Sequence, residues 1–291
     1  MLFSEYVSLW KQKARIKISD SWRMGQDQIL RDHILPILGS LHIEKISSIH
    51  ISEVMQASIN KGHSGNQQKK IYMVMSKVFN DANHFFEIIT RSPVKKHFHL
   101  PTPKPIERPY MTYEQALIFL EYTMNHPIYA IACWLMVLSG IRISEIESLD
   151  WECVDFEKDV IYVDKSRCAW TDEERNYTKN KGQYQVPMCP MLKMFLLERR
   201  KSSGKACQNP ETGRFNRRNL NKYLHNVSEK IHTPSWSAHI LRHSCARIYV
   251  EFGATDEQLK ELLGHKTIVS TKTYTHRKGI SQVSIISKKI A

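Results

Sequence analysis

The sequence predicts a mainly α-helical fold with a small antiparallel β-sheet, divided between two domains. Apolar residues recur every three or four positions along most of the chain, which is the spacing of one helix face. Two short stretches near the middle have the length and composition of strands instead. A length of 291 residues exceeds what one hydrophobic core usually encloses, and a proline-rich segment offers a boundary between two cores.

The region before the proline-rich segment is predicted to form a bundle of about four helices, each with one apolar face. The candidates are a first helix with Phe3, Tyr6 and Trp10 on one face, a second that carries Trp22 and Ile29, starts at Ser19 or Asp20 and stops at Pro36 and Gly39, a third over 49–59, and a fourth over 67–88. The aromatic residues of these helices are expected to form their core and not a platform for stacking bases.

The proline-rich segment, Leu100–Pro109, contains four prolines in ten residues. Proline lacks an N–H donor and restricts the residue before it to extended conformations, so this segment is predicted to be a semi-rigid linker. The predicted organisation is therefore a helical domain over residues 1–99, a linker over 100–110, and a second domain over 111–291 that ends in a tail.

The second domain is predicted to be mostly helical around a small sheet. Thr112 and Gln115 have the spacing of a capping box, which places the start of a helix there. An apolar run over 128–139 predicts a buried helix. The remaining predicted elements are strands at Val160–Val163 and Gln185–Met188, a loop or irregular hairpin between them, and helices near 190–200, 216–230, 238–252 and 256–263.

The net charge is strongly positive, +13 at pH 7 with an isoelectric point of about 9.4. Basic residues outnumber acidic ones both before and after the linker. This charge points to a polyanionic partner such as nucleic acid, although a generally basic protein without such a partner would have the same composition. The six cysteines are scattered without a C-x-x-C pair, which argues against a zinc ribbon or a disulfide framework and fits a reducing cytosol.

The sequence also argues against a cofactor, a metal and a membrane span. It has no G-x-x-x-x-G-K-[ST] loop to hold a nucleotide, and its histidines lack the cysteine or carboxylate cluster of a metal site. No apolar run approaches the length that spans a bilayer, and no signal peptide opens the chain. We therefore expect no cofactor, no metal, and a soluble cytoplasmic protein.

Four short motifs in the second domain carry candidate catalytic side chains. Arg142 follows a buried helix and a glycine break. His239 and Arg242 share a helix face, because side chains three residues apart lie on one face. His265 follows a leucine and a glycine at a predicted helix C-cap, and Tyr274 lies nine residues further on. Each motif alone is more typical of an ordinary surface or packing residue than of a catalytic one.

The order and spacing of these motifs together resemble those of the tyrosine recombinases, the family that includes the bacteriophage integrases. Members of that family carry a first arginine, a lysine on a β-hairpin, an H-x-x-R motif, an L-G-H motif and a nucleophilic tyrosine. The resemblance covers nearly all of residues 111–291 and is loose in the front domain. The residues at the matching positions are Arg142, Lys179, His239, Arg242, His265 and Tyr274.

Three positions depart from the family pattern. Ser139 stands before the glycine where members often have threonine. Residues 183–185 read Gln-Tyr-Gln where many members have an arginine ahead of the second hairpin strand, so one phosphate or hairpin contact lacks its usual residue. Lys181 is an alternative to Lys179 as the hairpin lysine, and Lys179 is preferred because its distance of eight residues from Pro187 resembles that in the family.

The resemblance implies both a fold and a reaction. The implied fold is a helical core-binding domain of the SAM-like type followed by the recombinase catalytic domain. The implied reaction is site-specific DNA recombination, in which strands are cleaved and rejoined through a 3′-phosphotyrosine at Tyr274 without a cofactor. Glu145 is expected to be structural and to hold the helix that follows Arg142.

The implied roles fit the chemical demands of the reaction. A tyrosine hydroxyl has a pKa of about 10 and is a poor nucleophile unless cations help it to ionise. Arg142 and Arg242 are the implied phosphate ligands, since a guanidinium can bind two oxygens and stays protonated. The resemblance makes Lys179 the general acid for the leaving 5′ oxygen. It assigns His239 to take the tyrosine proton or help hold the phosphate, and His265 to donate to a phosphate oxygen.

The implied partner is double-stranded DNA with specific attachment or recombination sites, bound by a homotetramer. The tail after Tyr274, which contains the apolar Val283–Ile286, is expected to dock on a neighbouring protomer. DNA-bending or excisionase proteins are possible accessory partners, and the expected location is the nucleoid in the cytoplasm. Two other functions stay open at this point: a DNA-binding regulator that has lost catalysis, and an enzyme resembling the type IB topoisomerases.

Overall fold

The computed structural model describes most of the chain, which divides into two compact units, Met1–Ile106 and Glu107–Ala291. The described residues are 1–15, 18–95, 109–169, 171–178 and 182–265. Most of the predicted linker lies outside them, and so the predicted domain bounds of 1–99 and 111–291 stay a prediction. Lys179, Lys181, Tyr274 and the tail also lie outside the described residues.

The first unit is a helical bundle, as predicted. Its elements are α1 (Phe3–Lys13), α2 (Asp20–Ile29), a π-helical turn (Leu30–Ile34), α3 (Leu35–Leu38), a 3-10 turn (Ile43–Lys45), α4 (Ser48–Asn60) and α5 (Gly65–His84). Ser19 is the cap residue of α2, since its hydroxyl accepts a hydrogen bond from the Trp22 N–H at 3.4 Å. Trp22 itself is 39% exposed and does not contribute to the core.

The core of this unit takes side chains from α1 to α5, and α1 packs on α5 within it. The apolar face predicted for α1 is buried, and its aromatic side chains also make polar contacts with α5. The Tyr6 hydroxyl donates to the Val78 carbonyl oxygen at 2.9 Å. The Trp10 indole N–H donates to an Asp81 carboxylate oxygen at 2.7 Å. Buried aromatic side chains therefore gain hydrogen bonds as well as packing, which fixes the register of the two helices.

The predicted end of the fourth helix is wrong by four residues. The helix ends at His84, and Glu87 has a left-handed backbone with φ of 52°. The N–H of Ile88 then turns back to the Ala82 carbonyl oxygen at 2.9 Å, which closes the last turn. Phe86 packs edge-on against Tyr6, with ring centroids 5.6 Å apart. Its apolar character therefore reflects packing beyond the helix and not helical continuation.

The second unit is mainly helical around two small antiparallel sheets. Its helices are α6 (Tyr113–Thr123), α7 (Ala130–Leu138), α8 (Ile143–Ile146), α9 (Pro190–Leu197), α10 (Arg217–Lys230), α11 (Ala238–Glu251) and α12 (Asp256–Leu262), and its strands are β1 (Val154–Asp155), β2 (Val160–Val163), β3 (Ser166–Arg167), β4 (Glu174–Arg175) and β5 (Tyr184–Pro187). The capping box predicted at Thr112 and Gln115 is present, with Thr112 accepting from the Gln115 N–H at 3.3 Å.

The larger sheet has the strand order β1-β2-β5, and its register places Ile161 opposite Val186 and Val163 opposite Tyr184. The connection between β2 and β5 was predicted to be a loop or irregular hairpin, and it contains a second pairing of β3 with β4. Strands of two residues are too short to show the alternation that identifies a strand in a sequence.

Helix α7 lies at the centre of the second unit. It is apolar on all sides and packs against α6, α9 and α11, which explains why its sequence shows no polar face. The indole of Trp134 stacks on Phe195 with ring centroids 3.8 Å apart, and the Tyr249 hydroxyl donates to the Leu138 carbonyl oxygen at 3.2 Å. Among the described residues, no helix combines the length and the apolar character needed to cross a bilayer.

A buried ion pair joins the segment after α8 to the start of α10. The Glu147 side chain is 3% exposed, and both of its oxygens accept hydrogen bonds from the Arg217 guanidinium, one of them at 2.6 Å. Arg217 also donates to the Arg167 carbonyl oxygen at 2.9 Å. Burial raises the pKa of Glu147 even beside this arginine. The carboxylate therefore depends on its partner to remain charged inside the protein.

We expect Arg217→Met to lower the free energy of unfolding by about 3 kcal/mol at neutral pH, because it leaves the Glu147 carboxylate buried and unpaired. Without the arginine, the pKa of Glu147 in the folded protein rises further above its unfolded value. The loss should therefore shrink as the pH falls and Glu147 becomes protonated. Urea unfolding at several pH values measures this. The control is Arg218→Met, which removes an exposed neighbour; an equal effect of the two variants would contradict the account.

Candidate active site

Two glycine turns bring distant parts of the second unit together. Gly140, between α7 and α8, has φ of 64°, and a Cβ there would lie 2.8 Å from a Leu263 methyl carbon. Gly264, after α12, has φ of 57°, and a Cβ there would lie 2.9 Å from the Tyr184 ring. Both positions combine a left-handed backbone with a close approach, which only glycine accommodates without strain. The turn after α7 therefore lies against the turn after α12.

Arg242 joins the two glycine turns from the inside. Its residue is 6% exposed on α11, and its guanidinium donates to the Gly140 carbonyl oxygen and, at 2.7 Å, to the Leu263 carbonyl oxygen. The same guanidinium lies 3.3 Å from the His265 Nε2 atom. A buried cation needs hydrogen-bond acceptors, and backbone carbonyls supply them without adding a negative charge.

Arg142 is held by a carboxylate instead. It caps α8, and its backbone N–H and its Nη1 atom each donate to the Glu145 carboxylate at 3.0 Å. The Glu145 side chain is 0% exposed, whereas that of Arg142 is 17% exposed. The Tyr184 hydroxyl donates to the same carboxylate at 2.7 Å. Glu145 therefore holds Arg142 in one orientation, in agreement with the structural role expected for it.

His265 is surrounded by positive charge. Burial and the nearby Arg242 and Arg142 lower its pKa from 6.5 to about 4. The ring is therefore neutral at neutral pH. Because Arg242 can only donate at Nη2, the short contact with Nε2 places the ring proton on Nδ1. A phosphate contact through Nε2 would require the ring to change tautomer or gain a proton.

A cavity of about 260 Å³ opens beside His265. Its lining residues are Thr178, Gly182, Gln183, Tyr184, Lys260, Glu261, Gly264 and His265. The Thr178 hydroxyl donates to the Gly182 carbonyl oxygen at 2.6 Å. These two residues are therefore held together at the edge of a space large enough for a phosphate.

The structure brings three of the six predicted site residues into one cluster: Arg142, Arg242 and His265. His239 lies in the first turn of α11, exposed and three residues before Arg242, which puts both on one helix face. Lys179 and Tyr274 lie outside the described residues, so their roles stay predictions.

Sequence reasoning missed one member of the cluster, Tyr184. The sequence did contain a signal for it: Tyr184 lies within residues 183–185, where many family members have an arginine and this chain has Gln-Tyr-Gln. No metal was expected, and the described residues contain no group of three or more histidines, cysteines or carboxylates that could bind one.

Two protein-family models match this chain, one in each of its two units. The model described as the phage integrase family matches residues 110–279, which is more than half of the chain. The chain belongs to the phage integrase family. The model of the N-terminal SAM-like domain of phage integrases also matches, over residues 2–58. This family and its SAM-like domain are those expected from the motifs.

Three integrases are similar to this chain over most of their length, whereas the chain spans about half the length of most of the XerC recombinases that it matches. The ICEBs1 integrase of Bacillus subtilis is 23% identical over 287 residues, which cover 92% of this chain and 77% of that protein. The integrase of the Tn1549 transposon, solved in complex with a circular intermediate DNA, has a TM-score of 0.79 and 17% identity, covering 100% of this chain and 98% of that chain. A lambda integrase tetramer bound to a Holliday junction has a TM-score of 0.75 and 18% identity, covering 97% of this chain and 80% of that chain. The similarity to the two solved structures shows a shared fold.

We expect His265 to titrate with a midpoint near 4 in the protein without DNA. Folding lowers the pKa of His265. Between pH 6.5 and pH 4 the His265 ring therefore binds a proton in the unfolded chain but not in the folded protein. The contribution of His265 to stability is therefore complete above this range and is lost as the pH falls through it. NMR of the ring nitrogens, assigned with a His265→Asn variant, measures the midpoint.

Within residues 109–169, 171–178 and 182–265, the groups near His265 include Arg242, Arg142 and Tyr184, together with Lys260 and Glu261 across the cavity. Glu261 is the carboxylate in this set and would favour the charged imidazole. A measured midpoint at or above 6.5 would mean that the two arginines do not lie close to the ring in solution.

Proposed function

We propose that this protein is a site-specific DNA recombinase that integrates or excises a mobile element by cleaving and rejoining DNA strands at Tyr274. The observation that carries the proposal is the cluster of Arg142, Arg242 and His265 at the junction of two glycine turns. Membership of the phage integrase family and the similarity to the ICEBs1 integrase support it.

The proposed reaction exchanges one phosphate ester for another. The Tyr274 hydroxyl loses its proton and its oxygen attacks the phosphorus, and the bond from phosphorus to the 5′ oxygen breaks. The 5′ oxygen leaves as a hydroxyl after taking a proton, and the DNA 3′ end remains as a phosphotyrosine. Attack by a 5′ hydroxyl of a second strand reverses these steps. The ester retains the bond energy, so no nucleotide is consumed.

The cluster would stabilise the negative charge that develops on the phosphate. Arg242 is buried and fixed, and Arg142 is partly exposed and can reach an incoming oxygen. A phosphate beside His265 would offset the charge of the two arginines, raise its pKa and favour a proton on the atom facing the oxygen. We assign the general-acid role to Lys179. His239 would accept the tyrosine proton or help to hold the phosphate.

The proposed assembly is a homotetramer on two DNA duplexes, with domains 1–99 and 111–291 both on DNA and the segment 100–110 between them. The net charge of +13 suits a phosphate backbone, and a lambda integrase with the same fold was solved as a tetramer on a Holliday junction. The C-terminal tail would dock on a neighbouring protomer. DNA-bending or excisionase proteins would set the direction of the reaction, at the nucleoid in the cytoplasm.

The test is the formation of a covalent protein–DNA complex. Duplexes that the wild-type protein retains through a denaturing wash are selected from a randomised pool, and the selected duplex is then used as the probe. We expect wild-type protein to yield a peptide that carries a nucleotide on Tyr274 in mass spectrometry. Tyr274→Phe should yield no adduct, because it lacks the attacking oxygen. Lys179→Ala should yield it more slowly by about 10²–10⁴-fold.

An adduct that persists in Tyr274→Phe would contradict the assignment of the nucleophile. Wild-type protein that binds duplexes of the pool in a native wash but retains none of them through the denaturing wash would indicate a regulator that has lost catalysis. Relaxation of supercoiled plasmid at any sequence would indicate a topoisomerase. The reaction should proceed unchanged with a chelator present, and its loss would reveal a metal requirement.

A further inference from the structure

Tyr184, on strand β5, contacts both Glu145 on α8 and Gly264 in the turn after α12. It is the first residue of β5, and its hydroxyl donates to the Glu145 carboxylate at 2.7 Å. Its ring covers Gly264 so closely that a Cβ there would lie 2.9 Å away. It also lines the cavity beside His265. One side chain therefore contacts the residue that holds Arg142 and the turn that carries His265.

The Glu145 carboxylate needs the third donor that Tyr184 supplies. The carboxylate is buried, and Arg142 provides two of the hydrogen bonds to it, from the backbone N–H and from Nη1. A buried carboxylate that loses a donor becomes costly and shifts toward other partners. Burial and the negative charge of Glu145 both raise the pKa of Tyr184, so the phenol keeps its proton and remains a donor.

We propose that Tyr184 is a positioning residue for strand transfer, which sets the distance and orientation of Arg142 relative to His265 through Glu145 and Gly264. The inference rests on the proposed function and adds a determinant to it. Tyr184 does not touch the phosphate in this role, and its oxygen does not attack phosphorus. Its contribution is to hold Arg142 and His265 in the correct relative position before DNA binds. This lowers the activation barrier of strand transfer without adding affinity for DNA.

Tyr184→Phe is the most informative substitution, because the ring and its packing on Gly264 remain and only the hydroxyl is lost. The matched control is Tyr162→Phe on the neighbouring strand β2. Tyr162 pairs with Gln185 in the register, so its side chain lies on the opposite face of the sheet from that of Tyr184. Both variants lose one tyrosine hydroxyl from the same sheet.

The experiment uses the full chain and the selected duplex described above. Duplex affinity is measured by fluorescence anisotropy, and the single-turnover rate of adduct formation is measured on denaturing gels. For Tyr184→Phe we expect unchanged affinity and a rate lowered by about tenfold, whereas Tyr162→Phe should match the wild type in both. Thermal unfolding confirms that each variant is folded at the assay temperature. A residue with a merely structural role would alter the melting temperature and leave this rate unchanged.

A double-mutant cycle with Glu145→Gln tests the route of the effect. If Tyr184 acts through Glu145, then Tyr184→Phe should lower the rate by less than about twofold in the Glu145→Gln background. A rate for Tyr184→Phe within twofold of the wild type, or full additivity of the two substitutions, would overturn the proposal. A selection in which the wild-type protein retains no duplex through the denaturing wash would instead overturn the proposed function itself, which separates the two failures.

Discussion

The buried guanidinium of Arg242 is the interaction on which the candidate site depends. It binds the carbonyl oxygens of Gly140 and Leu263, residues that are distant in sequence and belong to two different turns. Taking a cation out of water costs several kcal/mol unless hydrogen bonds replace its hydration. Carbonyl acceptors provide those bonds and leave the positive charge intact, and that charge is one reason for the lowered pKa of His265. The group that stabilises the fold is thus also one of the groups proposed to bind the phosphate.

Arg142, the second arginine of the site, is held by a carboxylate and not by backbone carbonyls. Arg142 is paired with the Glu145 carboxylate, which orients its guanidinium and offsets part of its charge. Tyr184 stabilises that carboxylate from strand β5, and so the position of Arg142 depends on the sheet as well as on α8. A fixed cation and an oriented cation therefore both lie close to one neutral histidine. Such preorganisation costs folding stability and spares the site from rearranging when charge develops.

The sequence predicted elements whose signal is local. The capping box at Thr112 and the strand Val160–Val163 are present where their residues indicated. The single-turn helix α8 was expected only as the helix that follows Arg142, and the pairing of β3 with β4 only as an irregular hairpin without bounds, because so few residues show no periodicity. The contact of Tyr184 with Glu145 spans 39 positions and depends on the tertiary fold, which no local pattern records. The order of the motifs indicated which charged residues belong together, whereas their hydrogen bonds required the structure.

In the proposed site, Arg142, Arg242 and His265 together form one binding place for a phosphate. The most direct measurement is the titration of His265 by NMR in concentrated inorganic phosphate and in chloride of equal ionic strength. A phosphate bound among the three groups should move the pKa of His265 upward from about 4 toward its ordinary value of 6.5. Chloride should not produce this shift. Identical titration curves in the two salts would show that no anion binds between the arginines and the histidine, and would contradict the account.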